Sequence, residues 1–245
     1  MTVVNTVQNM DWRELARRVR DEVGQVDALI VDAPYSERTH KGHDEQTKSI
    51  NAASGDALRQ IDYRPWAQAD VAAFVSAWAP LVRNWFVSIT DEDLRGPWRQ
   101  ELHDAGMLTF ARVPAIETGA TVRFNGDGTP NWTTDVVTAR TRDARHQGAW
   151  EPRPYYIVPR EKKPVVGGKP LLLMEQIVEG YTRPGDLIAD PCCGGGTTLL
   201  AAKLLGRRYI GGDLDETHVE IARERLRDLP TKDKRGTLSL FGGDR

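Results

Sequence analysis

Leu187-Ile188-Ala189-Asp190-Pro191-Cys192-Cys193-Gly194-Gly195-Gly196-Thr197-Thr198 is the stretch that decides the fold. Its apolar start reads as a buried strand, its glycines as a tight turn, and Thr198 to Leu205 as a helix that Gly206 ends. Arg208 to Gly211 is the next strand, leading to Asp213, and Asp215 caps a helix from Glu216 that Pro230 stops. Strand, glycine loop, helix, strand, acid is a βαβ nucleotide-binding unit. It predicts an α/β fold with a Rossmann-like, mostly parallel sheet, and it places the loop at the strand-end edge where such folds build ligand sites.

The loop chemistry narrows the ligand. Counting from Gly194, the third glycine of a dinucleotide fingerprint falls on Leu199, and no Lys follows the glycines as in a phosphate-cradling loop. Asp190 brings a negative charge that repels a pyrophosphate. An adenosyl group carrying a cationic amino acid suits the loop better, which describes S-adenosylmethionine. Asp213, 23 residues beyond Asp190, is placed to take the two ribose hydroxyls.

A second site-forming signal lies upstream. The apolar run Ala28-Leu29-Ile30-Val31 ends in Asp32-Ala33-Pro34-Tyr35. An exocyclic amino group on adenine or cytosine is a weak nucleophile, because its lone pair is delocalised into the ring. Two acceptors on its hydrogens draw the nitrogen toward tetrahedral geometry and free that pair. The Asp32 carboxylate and the Ala33 carbonyl can supply them, Pro34 fixes φ, and Tyr35 offers a face for a planar base. The plainer reading of the tetrapeptide is a strand ending in a Pro-containing turn.

Together these pieces resemble DNA amino-methyltransferases. Asp32-Ala33-Pro34-Tyr35 is similar to their Asp-Pro-Pro-Tyr motif, with Ala in second place. Lys169-Pro170-Leu171-Leu172 and the glycine stretch resemble their Lys-Pro helix followed by Asp-Pro-Phe-x-Gly-Ser-Gly-Thr-Thr. Arg207-Arg208-Tyr209-Ile210-Gly211-Gly212-Asp213 resembles Gly-Arg-Arg-Phe-Ile-Gly-x-Glu, and the catalytic motif precedes the cofactor motif, as in the β class. The resemblance implies transfer of a methyl group from S-adenosylmethionine to N6 of adenine in double-stranded DNA, in a restriction-modification setting. Cytosine N4 is the alternative, and an RNA or small-molecule substrate a more distant one. It assigns Asp32, Ala33, Pro34 and Tyr35 to a base flipped out of the stack. It assigns Asp190, Gly194, Gly196 and Thr197 to the methionine part of the cofactor and Asp213 to its ribose, with Pro191 and Cys192 also among the cofactor-binding residues. Lys169 is either a contact of the cofactor carboxylate or a helix-start lysine. Asp11 is either a neighbour of the cofactor adenine or the cap of the first helix.

The remaining chain fits one methyltransferase domain over residues 1–245. Val3 to Val7 reads as a strand, Asp11 to about Val23 as a helix, Val26 to Val31 as a strand, and Ser36 to Arg64 as a long polar loop beside the site. Pro65 opens a further helix, and Trp85 to Thr90, Leu94 to Ala105 and Leu108 to Val113 read as strand, helix, strand. From about 114 to 168 the pattern is irregular, apart from a β-like run at Asp135-Val136-Val137-Thr138-Ala139. This segment reads as strand-end loops plus a small target-recognition insertion. Arg112 to Lys169 carries ten Lys and Arg against six Asp and Glu, in a chain of net charge −2, and such an excess can meet a phosphate backbone.

No apolar run approaches the ~20 residues that span a bilayer, and no signal-peptide core is present, so a cytoplasmic location with no membrane association is expected. Two adjacent cysteines, Cys192 and Cys193, give neither a disulfide framework nor a zinc site, and His40 and His43 beside Asp44 and Glu45 read as solvated loop, so no metal is expected. The tail over 231–245 is expected to be flexible. Its Gly236-Thr237-Leu238-Ser239-Leu240-Phe241 resembles peptides that dock on sliding clamps, with a fold-back onto the core as the alternative.

Overall fold

The computed structural model describes residues 2–41, 63–119, 133–144 and 150–228, and the backbone of 231–232 and 238–239. Nine strands form one sheet: β1 (Thr6–Asn9), β2 (Val26–Asp32), β3 (Val82–Thr90), β4 (Leu108–Thr109), β5 (Val113–Thr118), β6 (Thr133–Arg140), β7 (Tyr156–Pro159), β8 (Leu187–Asp190) and β9 (Arg208–Asp213). Among the described residues, the helices packed on it include α1 (Trp12–Glu22), α2 (Gln68–Trp78), α3 (Glu92–Asp104), α4 (Leu171–Tyr181), α5 (Thr197–Leu204) and α6 (Glu216–Arg227).

The strand order is β1-β9-β8-β2-β3-β6-β5-β7, with β4 also on β6. The pairs from β1 through β3 are parallel, whereas β6 runs antiparallel to β3, β4 and β5. Helices α1 to α3 bury one face and α4 to α6 the other, giving two apolar layers. Strands covered on both sides have little polar surface to show, which is why Ala28 to Val31 and Leu187 to Ala189 read as continuous apolar runs. On the α1–α3 face Phe74 is the hub: its ring centroid lies 5.0 Å from that of Trp12, 5.4 Å from Trp66 and 5.6 Å from Trp98. These tryptophans are core, each burying a large apolar surface.

Several element limits differ from the sequence reading for local reasons. Asn5 adopts φ 58°, so the first strand cannot run through it; β1 starts at Thr6 and Val3 is buried beside α1. Helix α2 starts at Gln68 rather than at Pro65, because the Asp70 carboxylate accepts from the Ala67 N–H at 2.9 Å and supplies the start signal. The run from Leu108 to Val113 divides into β4 and the beginning of β5, and the Phe110 N–H between them donates to the Thr138 carbonyl. The segment 114–168 contributes β6, β7 and most of β5 to the sheet. Two of its acids are paired with nearby bases, Glu117 with Lys163 at 2.6 Å and Asp135 with Arg112 at 2.5 Å, which leaves the net excess over 112–169 unchanged. His43, Asp44 and Glu45 lie outside the described residues. In the tail, Thr231–Lys232 pairs antiparallel with Leu238–Ser239, and Thr237 and Phe241 lie outside the described residues. No described helix is long and apolar enough to cross a membrane.

Candidate active site

Beyond β8 the sheet is extended by β9, and beyond β2, on the other side, by β3. The strands are parallel, but the direction in which the chain adds successive strands reverses between β8 and β2, and a crevice opens there at their C-terminal ends. Four acids stand along that edge in sheet order: Asp11 just beyond β1, Asp213 ending β9, Asp190 ending β8 and Asp32 ending β2. All four line one cavity of about 600 Å³, together with Pro34, Lys169, Pro191, Cys192, Gly194 and Thr197. That volume is in the range of small-molecule sites. The two motifs, more than 150 positions apart in sequence, thus face each other across one space.

The glycine loop has a backbone that side chains would spoil. Gly194 has φ 49° and Gly196 φ 74°. A Cβ on Gly196 would stand 2.7 Å from the Ala222 Cβ of α6. Gly196→Ala therefore meets a left-handed penalty and an overpacked contact, and should lower unfolding stability by about 2–5 kcal/mol. A chemical-denaturation midpoint unchanged from wild type would contradict this. Arg225 of α6 supports the loop from below, donating to the Gly195 carbonyl and, at 3.1 Å, to Thr197 Oγ1.

Asp213 is already tied into the frame. Its Oδ2 accepts from the Gly194 N–H at 2.8 Å and its Oδ1 from the Asp215 N–H at 3.0 Å, so β9 and the glycine loop are held in register. Asp11 caps α1, accepting from the Arg13 N–H at 2.7 Å, and lines the cavity as well. Asp190 is 1% exposed. Burial pushes its carboxyl up to about 7, against hydrogen bonds from Thr198 and the Cys192 N–H. Arg13 stands 3.2 Å from Asp11, His218 3.7 Å from Asp213 and Lys169 2.6 Å from Asp32. Asp190 alone of the four has no basic side chain within ion-pair distance among the described residues. Burial pushes the Cys192 and Cys193 thiols well above their ordinary value, so both stay protonated.

The upstream motif forms a compact unit. The Tyr35 hydroxyl donates to Asp32 Oδ1 at 3.1 Å, while Lys169 Nζ donates to Oδ2 at 2.6 Å and lies 4.8 Å from the Tyr35 ring centroid. Burial, with Asp32 alongside, pushes the Tyr35 phenol far above its ordinary value, which keeps it a donor. The exit of the turn is clamped: buried Asp91 accepts from the Ser36 N–H at 2.9 Å, the Ser36 hydroxyl at 2.6 Å and the Thr39 hydroxyl at 2.5 Å.

Sequence reasoning missed three contributors: Arg225, Asp91 and the strap Val165-Val166-Gly167-Gly168. The strap lines the cavity and lies so close over the loop that a Cβ on Gly195 would meet Val165 Cγ1 at 3.1 Å. The glycine pair just before Lys169-Pro170 was the one available signal for it.

The chain is similar to known proteins. Residues 121–224 match a family model described as DNA methylase. A type II methyltransferase of Streptococcus pneumoniae, M2.DpnII, is 50% identical over 58 residues, which is 24% of this chain and 22% of that protein. M.HinfI of Haemophilus influenzae is 38% identical over 61 residues, 25% of this chain and 17% of its own length. These matches span about a fifth of the relatives' length. Among solved structures, the M1.HpyAVI–SAM complex superposes with a TM-score of 0.68 at 21% identity, covering 90% of this chain and 98% of that one. The cytosine-N4-specific PvuII DNA methyltransferase gives 0.63 at 12% identity, covering 93% and 87%. The resemblance to DNA amino-methyltransferases thus holds: the chain matches their family model over residues 121–224 and carries their α/β fold over nine-tenths of its length.

Proposed function

We propose that the protein is a site-specific DNA methyltransferase that uses S-adenosylmethionine and acts on the exocyclic N6 of adenine. The observation that carries this reading is the shared cavity, in which the Asp32–Tyr35 turn faces the glycine loop across the β2/β8 switch point. The donor set suits a cationic, phosphate-free cofactor, with four carboxylates along one edge and a glycine turn that admits no side chain. When bound, S-adenosylmethionine supplies an electrophilic methyl group on a sulfonium. Asp190, the acid without a cationic partner, would face the positive amino-acid end, with Pro191, Cys192, Gly194, Gly196 and Thr197 shaping that pocket. Asp213 would hold the ribose, with Asp11 beside the adenine ring.

On the substrate side, Asp32 and the Ala33 carbonyl accept the two amino hydrogens of a flipped base. Pro34 keeps the turn rigid, and Tyr35 stacks on the ring. Ala33 retains its carbonyl, so replacing the family's proline removes rigidity and not an acceptor. A carboxylate at the first catalytic position can serve the amino group of either base; the choice of adenine rests on the resemblance, in which aspartate is commoner there among adenine-N6 enzymes and serine among cytosine-N4 enzymes. The segment 114–168, with its basic excess, is the proposed DNA-recognition region within a single domain, and its small size suits a short or degenerate site.

The test is methylation of unmodified genomic DNA by the purified protein, followed by digestion to nucleosides and mass spectrometry. N6-methyladenine is expected. N4-methylcytosine alone would transfer the reading to cytosine, and no methylated nucleoside in DNA would overturn it.

The Asp190 carboxyl makes cofactor binding pH-dependent. Its folded value of about 7 lies above the ordinary 3.8. Between those limits the free folded protein holds a proton that the unfolded chain has lost, so its stability falls as pH rises through that window. A cationic ligand favours the ionised form and expels this proton. Cofactor affinity should therefore weaken by up to tenfold per unit as pH falls below about 7, and level off above it. Calorimetry at about pH 6 in buffers of different ionisation enthalpy should show release of about one proton. Flat affinity from about pH 5.5 to 7.5 would remove Asp190 from the contact.

A further inference from the structure

We propose that Lys169 is a positioning residue of the catalytic turn, which holds the Asp32 carboxylate, and not a contact of the cofactor's own carboxylate. The proposal rests on the reading above, in which Asp32 accepts from the target amino group. The ammonium is engaged on three sides: Asp32 Oδ2 at 2.6 Å, the Gly167 carbonyl at 3.0 Å and the Tyr35 ring at 4.8 Å. Its side chain is 11% exposed. A ligand carboxylate would have to draw this part-buried cation away from a charge-assisted bond of 2.6 Å.

The chain delivers Lys169 to that place by construction. Gly167 takes φ 77°, the Gly168 N–H donates to the Val165 carbonyl at 3.3 Å, and Pro170 then opens α4. This turn carries the ammonium across the cavity to the end of β2. With Tyr35 on Oδ1 and Lys169 on Oδ2, the carboxylate cannot rotate about its Cβ–Cγ bond without losing a partner. Each oxygen keeps a lone-pair direction for the incoming amine. An acceptor must meet the amino hydrogen along its N–H direction, so orientation of the carboxylate sets the rate of transfer. The same pairing separates the acids by role: Asp32 is neutralised for the base, while Asp190 keeps its capacity for the cationic cofactor.

The experiment compares wild type, Lys169→Met and Lys169→Arg as full-length proteins. Cofactor Kd is measured by calorimetry, and kcat and DNA KM by transfer of labelled methyl groups. Lys169→Met should lose kcat by roughly 10- to 100-fold, as expected when a reacting group is left misoriented. Its cofactor Kd and DNA KM should stay close to wild type, and Lys169→Arg should recover part of the lost kcat. A large rise in cofactor Kd with kcat preserved at saturating cofactor would overturn the proposal and make Lys169 a cofactor ligand. An unchanged kcat in both variants would overturn it as well. Absence of transfer by wild type would instead remove the methyltransferase reading on which it rests.

Discussion

Asp32→Ala should abolish nearly all methyl transfer, lowering kcat by roughly 100- to 10,000-fold, while S-adenosylmethionine still binds. The expectation follows from where Asp32 stands. It ends β2 across the cavity from the glycine loop, and its oxygens are held by Tyr35 and Lys169. Removing the carboxylate takes away one of the two acceptors that free the amine lone pair, and breaks no hydrogen bond of the glycine loop. It also strands a part-buried ammonium, and breaking a pair by removing one partner costs about 3–5 kcal/mol at full burial. The pair here is only partly buried, with side chains 11% and 22% exposed, so a smaller loss is expected. Asp32→Ala/Lys169→Met should therefore be more stable than Asp32→Ala and equally inactive. Calorimetric titration with cofactor separates the effects: an Asp32→Ala protein that keeps cofactor affinity but retains substantial activity would refute the proposed role.

Much of the framework that places the candidate site is legible in the sequence, and the reasons are physical. Strands β2 and β8 are buried on both faces, so their apolar runs mark both strand and end, and an acid at such an end can only sit at the sheet edge. The caps were equally readable: Asp11 and Asp215 accept from helix N-terminal amides as their positions suggest. Other features leave weak local traces. β7 is a four-residue edge strand with exposed Ile157, and β5 alternates between buried and part-exposed residues, so this edge of the sheet reads as irregular chain. The Lys169–Asp32 pair spans 137 positions, and no periodicity encodes it. Asp91 looks like an ordinary helix cap, accepting from the Leu94 N–H at 3.1 Å, and only the fold reveals that it also holds Ser36 and Thr39. Residues that act through a long-range partner are invisible to spacing rules, whereas residues fixed by their own element are not.

Asp213 is such an element-fixed residue, and the fold gives it a second task that enlarges the effect of losing it. The contact expected with the ribose hydroxyls is worth on the order of 1–3 kcal/mol when its acceptor is removed. The carboxylate also accepts from the Gly194 and Asp215 N–H groups. Asp213→Ala therefore releases the glycine loop while deleting the ribose acceptor, and the two losses fall on the same ligand. Cofactor affinity should drop by at least tenfold and by as much as several hundredfold, corresponding to about 1.4–3.5 kcal/mol. Asp213→Asn keeps one acceptor oxygen and the shape of the group. With the amide oxygen facing Gly194 it should preserve the loop, yet lose the charge and half of the ribose pairing, and so fall between wild type and Asp213→Ala. The residual kcat at saturating cofactor should change much less than the Kd in both variants, since Asp213 lies two strands from Asp32. Equal cofactor affinities for wild type and Asp213→Ala by calorimetry would refute the assignment. A kcat defect without an affinity defect would mean that Asp213 acts on the reacting base and not on the cofactor.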